Sequence, residues 1–469
     1  MSNFYSRLAQ MIDTHHAAGQ TVMLWSDPGM GKTSFVTKTL AGRESVQYAN
    51  EKQPIPVAHS LTIIPAAMDT GDLLGIPTIE QLDAHVASVP THPAAYNLNT
   101  MHPSSMERDE NGQMAQANAD GFRKMTATEF ATPAWALEAN SHAPYGIVYV
   151  LVDEFPAADM RVHNIFLNII EDMRLPNGFK LHKNVKFVLA GNMNRSGVRG
   201  MTELSSAMTS RMAHYDMLPD RTDWAAGITA GFTPSIADYS PVVIKDDEDM
   251  TERRAKAVAQ VLSFLERSVR YYNAGEDHQV DRTRGWYNPR TWERTMTMLA
   301  LSEGMDHSVR MDMVEALVGN ESRVHFNSHL NTLEMPSPDE VLNNPKVMDN
   351  LNSASSYAVI TTLFQVCMAR AEKQVEKIAA EQGMPAELVL NKDIVPNNSS
   401  VLWDMVAAIN AITPKHDNII IGQLTQHYSS LYKYLGRALV DERATDGKFT
   451  LDKRFRDNLT QLRNMFNNI

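Results

Sequence analysis

One stretch constrains this chain more than any other. Residues 26–33 read Ser-Asp-Pro-Gly-Met-Gly-Lys-Thr, just after the apolar run Thr21–Trp25 and just before a helical pattern that begins near Gly31. The spacing is that of a phosphate loop: glycine, four residues, then Gly-Lys-[Ser/Thr]. Ser26 stands where the first glycine is usual. Such a loop sits between a buried strand and a helix N-terminus, which points this part of the chain to an α/β fold. Gly29 and Gly31 let successive backbone N–H groups curl around phosphate oxygens with no Cβ in the way. Lys32 is spaced to reach the β- and γ-phosphates, and Thr33 offers a hydroxyl to magnesium. Asp27, Pro28, Gly29, Met30, Gly31, Lys32, Thr33 and Ser34 are therefore the expected nucleotide-binding residues, with ATP and Mg2+ as cofactors.

A second motif completes the first. Ile147–Val152 is an unbroken apolar run, the mark of a central parallel strand, and it leads directly into Asp153-Glu154. An Asp at the carboxyl end of a buried strand beside a phosphate loop can hold the magnesium shell, with Thr33. The adjacent Glu154 can polarise an attacking water as general base. Together the motifs specify a nucleoside-triphosphate site, without saying what work the energy drives.

Around these motifs the chain divides in two. Strands are expected at Thr21–Trp25, Val57–Ile64, Ile147–Val152, Val185–Ala190 and His214–Met217, with helices within residues 1–20, from about Gly31, and over Arg161–Met173. Residues 76–122, polar and rich in Pro, Asn, His and Met, are expected as an insertion. The charged run Lys245–Asp249 is a surface loop or a helix N-terminus. Strand signals stop near residue 220, and from about 251 the patterns are helical, broken at Pro336–Pro345, Asp393–Ser400 and Ala444–Lys448.

Composition then excludes several classes. The 469 residues allow two or three domains, and 43% hydrophobic content is ample for packed cores. A net charge of −12 argues against binding nucleic acid mainly by nonspecific charge. The single cysteine, Cys367, excludes an intrachain disulfide and a multi-cysteine zinc site. No signal-peptide core and no apolar run of membrane-spanning length is present, so a soluble, cytoplasmic chain is expected. The 28 methionines are spread as gap-fillers.

Several further stretches resemble the AAA+ ATPases, and within them the MoxR-like group, over about residues 20–300. Thr70-Gly71-Asp72-Leu73-Leu74-Gly75 is similar to the group's Asp-Leu-[Leu/Ile]-Gly signature. Thr132–Leu137 resembles the stretch before the Asp-Glu strand, without its glycine. Ile165–Arg174 and Phe179-Lys180-Leu181 resemble the helix and hairpin before the fourth strand. Val188–Asn192 resembles the strand ending in the first sensor, which puts that role on Asn192, with Asn194 as a rival. Ser206–His214 resembles the segment with the arginine finger, which puts that role on Arg211, ahead of Arg199 and Arg195. Gly285–Glu293 resembles the second sensor at the start of a lid helix, which puts that role on Arg290, ahead of Arg284 and Arg294.

The resemblance implies an AAA+ core, residues 1–220, with a parallel five-stranded sheet, a helical lid over 221–310 and a helical C-terminal region over 311–469. It implies an ATP hydrolase working as a ring, a hexamer, beside a protein with a von Willebrand factor A domain. An AAA+ motor or loader acting on nucleic acid is the alternative, and a nucleotide-dependent scaffold is disfavoured by the presence of Glu154.

Other constellations carry less. His15-His16 is expected to be a solvated pair. His163, His182 and His214 lack metal-ligand spacing, and His214 is expected in the core. Cys367 lies in an apolar helical stretch, unsuited to a nucleophile. Lys373–Lys377 is a mixed-charge helix face, and Tyr428–Tyr434 is at core-packing spacing.

Overall fold

The structure is a computed structural model and describes residues 4–68, 70–74, 77–85, 122–193, 203–232, 241–275, 279–383, 385, 400–435, 457 and 460. Its centre is a sheet in the order β2-β3-β6-β7-β1-β8, with β1 Thr21–Ser26, β2 Ser45–Val46, β3 Ile55–Ile63, β6 Ile147–Val152, β7 Val185–Asn192 and β8 Met212–Asp216. The five strands expected from sequence are mutually parallel. The sixth, β2, is a two-residue antiparallel edge on β3, so the sheet has six strands rather than five. Two residues are too few to leave a periodic signal.

Every residue of β1 and β6 is buried, as a parallel sheet covered on both faces requires. On one face lie α1 (Phe4–Ala17) and the helix after the loop, which starts as α2 (Lys32–Ser34) and continues as π-helical turns over Phe35–Leu40. The other face carries α4 (Ala134–His142) and α5 (Met160–Asp172). Asp159 caps α5, accepting from the N–H of Arg161 at 2.8 Å. Ahead of these two helices in the chain, α3 (Thr70–Leu74) is followed by β4 (Pro77–His85), which pairs antiparallel with β5 (Phe122–Phe130). The region expected as an insertion therefore opens with one strand of a two-stranded ribbon whose partner begins at its far end.

From α7 (Arg221–Thr229) onward the described chain is helical. Asp246 caps α8 (Asp247–Arg267), so the acidic run is a helix N-terminus, where negative charge is favoured. Asn288 and Thr291 form a capping box on α9 (Pro289–Leu301), with Pro289 in its first turn. α8, α9, α10 (His307–Val318) and α11 (Asn320–Leu330) share one hydrophobic cluster with α1 and a sheet face. A second cluster gathers α12 (Pro338–Asn343), α13 (Ser353–Gln382) and α14 (Ser400–Leu435). Arg370 on α13 ties the two together, pairing with Glu248 on α8 and Asp339 on α12. Cys367 is buried in this second cluster. No helix among the described residues is long and apolar enough to cross a membrane.

The expectation for His15-His16 is corrected. Both rings are buried, because α1 is covered by the sheet on one side and by α9 and α10 on the other. His15 bridges Gln20 Oε1 (2.7 Å) and the Tyr215 hydroxyl (2.6 Å), and His16 Nε2 lies 3.1 Å from the Phe187 carbonyl. His214, expected in the core, is there: Trp25 donates to its Nδ1 and its Nε2 meets the Thr209 carbonyl.

Burial pushes the pKa values of His15, His16 and His214 down, to about 4, about 3 and about 4. Unfolded, each titrates near about 6.5. Between pH 6.5 and about 4 the unfolded chain therefore binds more protons than the folded one, and stability falls as pH falls through that window. Urea midpoints measured from pH 7 to 5 should decline steadily. His214→Phe should decline less steeply, and a flat profile in the parent would refute the neutral, buried assignment.

Candidate functional site

Parallel register builds the site. Ser26, the last residue of β1, pairs with Asn192, the last of β7, and Val152, the last of β6, pairs with Leu189. The loop, the amide and the acidic pair thus leave the same end of the sheet, the carboxyl end where α/β proteins bind ligands. Gly29 and Gly31 have φ of 80° and 86°, and a Cβ on either would meet nothing within 4 Å. Glycine is required there by backbone conformation rather than by crowding.

Lys32 is held from two sides. Its Nζ donates to Ser26 Oγ and to Asn192 Oδ1, both at 2.9 Å. Burial lowers its pKa, opposed by the carboxylates of Asp153, Asp27 and Glu154. Ser26 is fully buried and donates in turn to the Asp27 carbonyl at 2.9 Å. The sequence read Ser26 only as a tolerated departure from glycine; the structure gives its hydroxyl a task, as an acceptor that positions the lysine. No sequence signal marked that role.

Thr33 Oγ1 donates to Asp153 Oδ2 at 2.8 Å. Magnesium binds oxygens at about 2.0–2.1 Å in an octahedron, which sets adjacent ligands about 2.9 Å apart. The two oxygens fit neighbouring positions in such a shell. The other oxygen of Asp153 accepts the Glu154 N–H at 3.0 Å. Glu154 is exposed and left-handed, φ 55°, a conformation that costs a non-glycine residue about 1–3 kcal/mol. The 3₁₀ turn Phe155–Ala157 holds it, with Phe155 and Pro156 buried and the Ala157 N–H on the Glu154 carbonyl at 2.9 Å.

Arg211 and Arg290, given the arginine-finger and second-sensor roles by resemblance, lie away from this chain's own phosphate loop. Arg211 directly precedes Met212, which pairs with Thr21 at the start of β1. The loop leaves the far end of that strand, five residues on, or about 17 Å at 3.3 Å per residue. Arg211 Nε is 2.8 Å from Glu171 Oε2 and its Nη1 donates to the Ala207 carbonyl at 2.7 Å. Arg290 Nη1 meets Ser210 Oγ at 3.3 Å, beside Arg211. Arg294 joins them, pairing with Glu171 at 3.3 Å and donating to the Arg211 carbonyl. The structure thus brings together Lys32, Thr33, Asp153, Glu154 and Asn192 at one end of the sheet, and Arg211, Arg290 and Arg294 at the other. Glu171, on the polar face of α5, escaped sequence reasoning because periodicity marks that face only as outward. Arg284 lies on the loop side, its guanidinium 4.0 Å from the Trp25 ring centre and 3.5 Å from Asp216. It lines a cavity of about 790 Å3 between α1, the β8 edge, α10 and α11. Asn194, Arg195 and Arg199 lie outside the described residues. Among the described residues no group of His, Cys, Asp and Glu could hold a metal ion without further ligands such as a nucleotide would supply.

No protein-family model matches this chain, and neither does any curated protein. Among solved structures it is similar to a Cytophaga hutchinsonii protein described provisionally as an ATPase, with 10% identity, a TM-score of 0.37, and coverage of 71% of this chain and 91% of that one. It is also similar to NtrX from Brucella abortus, with 11% identity, a TM-score of 0.23, and coverage of 82% of this chain and 66% of that one. At these values neither likeness bears on what this chain does.

The placement of the arginines generates a prediction for dilute, unassembled chains. Arg211→Ala and Arg290→Ala should leave nucleotide affinity essentially unchanged, while Lys32→Ala should remove the rise in melting temperature that Mg-ATP produces in the parent, since only a ligand bound to the native state stabilises it. Melting curves with and without Mg-ATP check both. An undiminished shift in Lys32→Ala would dismiss the phosphate-loop assignment.

Proposed function

We propose that the chain is an AAA+ ATPase of the MoxR-like kind, which hydrolyses ATP in an oligomeric ring, a hexamer in the cytoplasm, to remodel or activate a partner protein. The observation that carries the ATPase reading is the convergence of Lys32, Asn192, Thr33, Asp153 and Glu154 on one end of the sheet. Lys32 would bind the β- and γ-phosphates, releasing its hydrogen bonds to Ser26 and Asn192. Thr33 and Asp153 would hold Mg2+, which when bound neutralises phosphate charge. Asn192, freed from the ammonium, would align the attacking water, and Glu154 would take its proton.

The ring reading rests on the distance between the two groups. Arginines separated from their own loop by the length of a strand can serve a phosphate only on a neighbouring chain. Arg211 and Arg290 would reach that nucleotide from the neighbour, where a planar, permanently charged guanidinium suits developing phosphoryl charge. A head-to-tail contact of this type closes into a ring. The partner with a von Willebrand factor A domain is carried by the sequence resemblance to the MoxR-like group.

Glu154→Gln should bind Mg-ATP like the parent and lose turnover by about 10²–10⁴-fold, the usual contribution of a general base. Calorimetry and a phosphate-release assay measure the two quantities, and parental turnover would remove Glu154 from that role. Mixing tests the ring. Arg211→Ala chains and Lys32→Ala chains, each nearly inactive alone, should regain part of the activity together, because some mixed sites pair an intact loop with an intact neighbouring arginine. If rings shown by native mass measurement to be mixed regain nothing, Arg211 does not act across an interface.

A further inference from the structure

Glu171 sits where its own helix does not favour it. It lies in the last turn of α5, just before the left-handed cap at Met173, and that turn holds no basic residue. Negative charge at a helix C-terminus opposes the helix dipole. A residue that breaks a local rule points to a gain made elsewhere. Here the gain lies outside the helix: among the described residues both ion-pair partners of Glu171 are arginines at the amino end of the sheet.

Those contacts form a mount for Arg211. The residue follows the short helix α6 (Ser206–Thr209), capped by Ser205, and directly precedes β8. Glu171 Oε2 lies 2.8 Å from its Nε, and the Ala207 carbonyl accepts from its Nη1 at 2.7 Å. Arg294 donates to the Arg211 carbonyl and reaches the same Glu171 oxygen at 3.3 Å. One carboxylate therefore ties the side chain of Arg211 to the arginine that holds its backbone. The carboxylate and the carbonyl take Nε and Nη1. The fork has a third nitrogen, Nη2, and the side chain keeps 20% of its surface exposed.

We propose that Glu171 is the positioning residue for Arg211: its carboxylate holds the guanidinium in one orientation, with Nη2 presented to the nucleotide of a neighbouring chain. The inference rests on the ring reading and deepens it. A free arginine side chain samples many rotamers, and ordering it during the reaction would cost entropy. Holding it beforehand removes that cost from the chemical step, which is what makes a preorganised charge effective. Nε and Nη2 lie on different edges of the fork, so Glu171 need not let go when a phosphate arrives. The carboxylate also keeps the group together. Burial lowers the pKa of Arg294, Arg290 and Arg211 add to that, and Glu171 opposes it. Without Glu171 the three cations repel one another and Arg211 loses its fixed direction.

The test measures turnover and nucleotide binding in the full-length protein. Glu171→Ala should lower kcat by about 10–100-fold, the scale of a misplacement near 1 Å. KM for Mg-ATP, and the rise in melting temperature that Mg-ATP produces, should stay parental, because the loop is at the other end of the sheet. Glu171→Gln, which keeps the shape and loses the charge, should fall in the same direction and stands in if the alanine variant does not fold. Combining Glu171→Ala with Arg211→Ala should be no slower than Arg211→Ala alone, since both changes remove one function. Mixing gives a readout that lost stability would not move. Glu171→Ala chains should regain activity with Lys32→Ala chains, whose arginines are intact, and none with Arg211→Ala chains. Parental turnover in the Glu171 variants, raised turnover (the mark of a carboxylate that sequesters the arginine), a further loss in the double variant, or activity regained with Arg211→Ala would each overturn the proposal. Parental turnover in Arg211→Ala alone would remove the ring reading and this inference with it. A slow Arg211→Ala beside parental Glu171 variants would remove this inference only.

Discussion

The ammonium of Lys32 needs acceptors, and the alignment of β1 with β7 supplies them. Ser26 and Asn192 are the last residues of neighbouring parallel strands, in register, so their side chains reach the lysine together. Slipping β7 by one residue would turn Asn192 to the other face of the sheet and leave the ammonium with Ser26 alone. The register is fixed by burial. Val188, Leu189 and Ala190 are fully buried and pack alternately on the two helical layers, so no other pairing keeps both cores filled. The chemistry of the loop depends on apolar packing in the middle of the sheet.

The two ends of the sheet have different electrostatic characters. The carboxyl end gathers Asp27, Asp153 and Glu154 around one lysine. At the amino end, Arg211 and Arg294 share the single carboxylate of Glu171, with Arg290 beside them, and burial together with its two neighbours lowers the pKa of Arg294. A chain with net charge −12 thus holds a local excess of positive charge on one surface. Glu171, shared by Arg211 and Arg294, offsets part of that charge.

Sequence alone made much of the fold legible, for reasons specific to each element. Ile147–Val152 and Thr21–Trp25 stood out because strands covered on both faces must be apolar throughout. Pro289 marked a helix start through a rule that holds locally, whereas the acidic run at 245–249 read equally as a loop or a helix N-terminus until Asp246 was seen to cap α8. The missed features depend on the tertiary arrangement. His15 and His16 read as polar and therefore solvated, yet both are interior because α1 is enclosed on two sides. β2 pairs through only two residues, and β4 finds β5 across the region expected to be an insertion. At the site, residue types and spacing named Lys32, Thr33, Asp153 and Glu154. The lysine-holding task of Ser26 and the pairing of Glu171 with Arg211 needed coordinates, because neither is a matter of spacing along the chain.

One helix joins these ends. α5 begins just after the strained turn at Glu154 and ends with Glu171 against Arg211 and Arg294. Its thirteen residues span about 20 Å at 1.5 Å each. Over that length a tilt of only about 3° displaces the far end by about 1 Å, which is enough to make or break a hydrogen bond of ordinary geometry. Such a tilt is opposed along the helix, because Val162, Phe166, Ile169 and Ile170 are buried against the sheet and His163 Nε2 meets the Phe155 carbonyl at 2.9 Å. The packing that covers this face of the sheet therefore also fixes the spacing between the Glu154 turn and the arginines around Glu171.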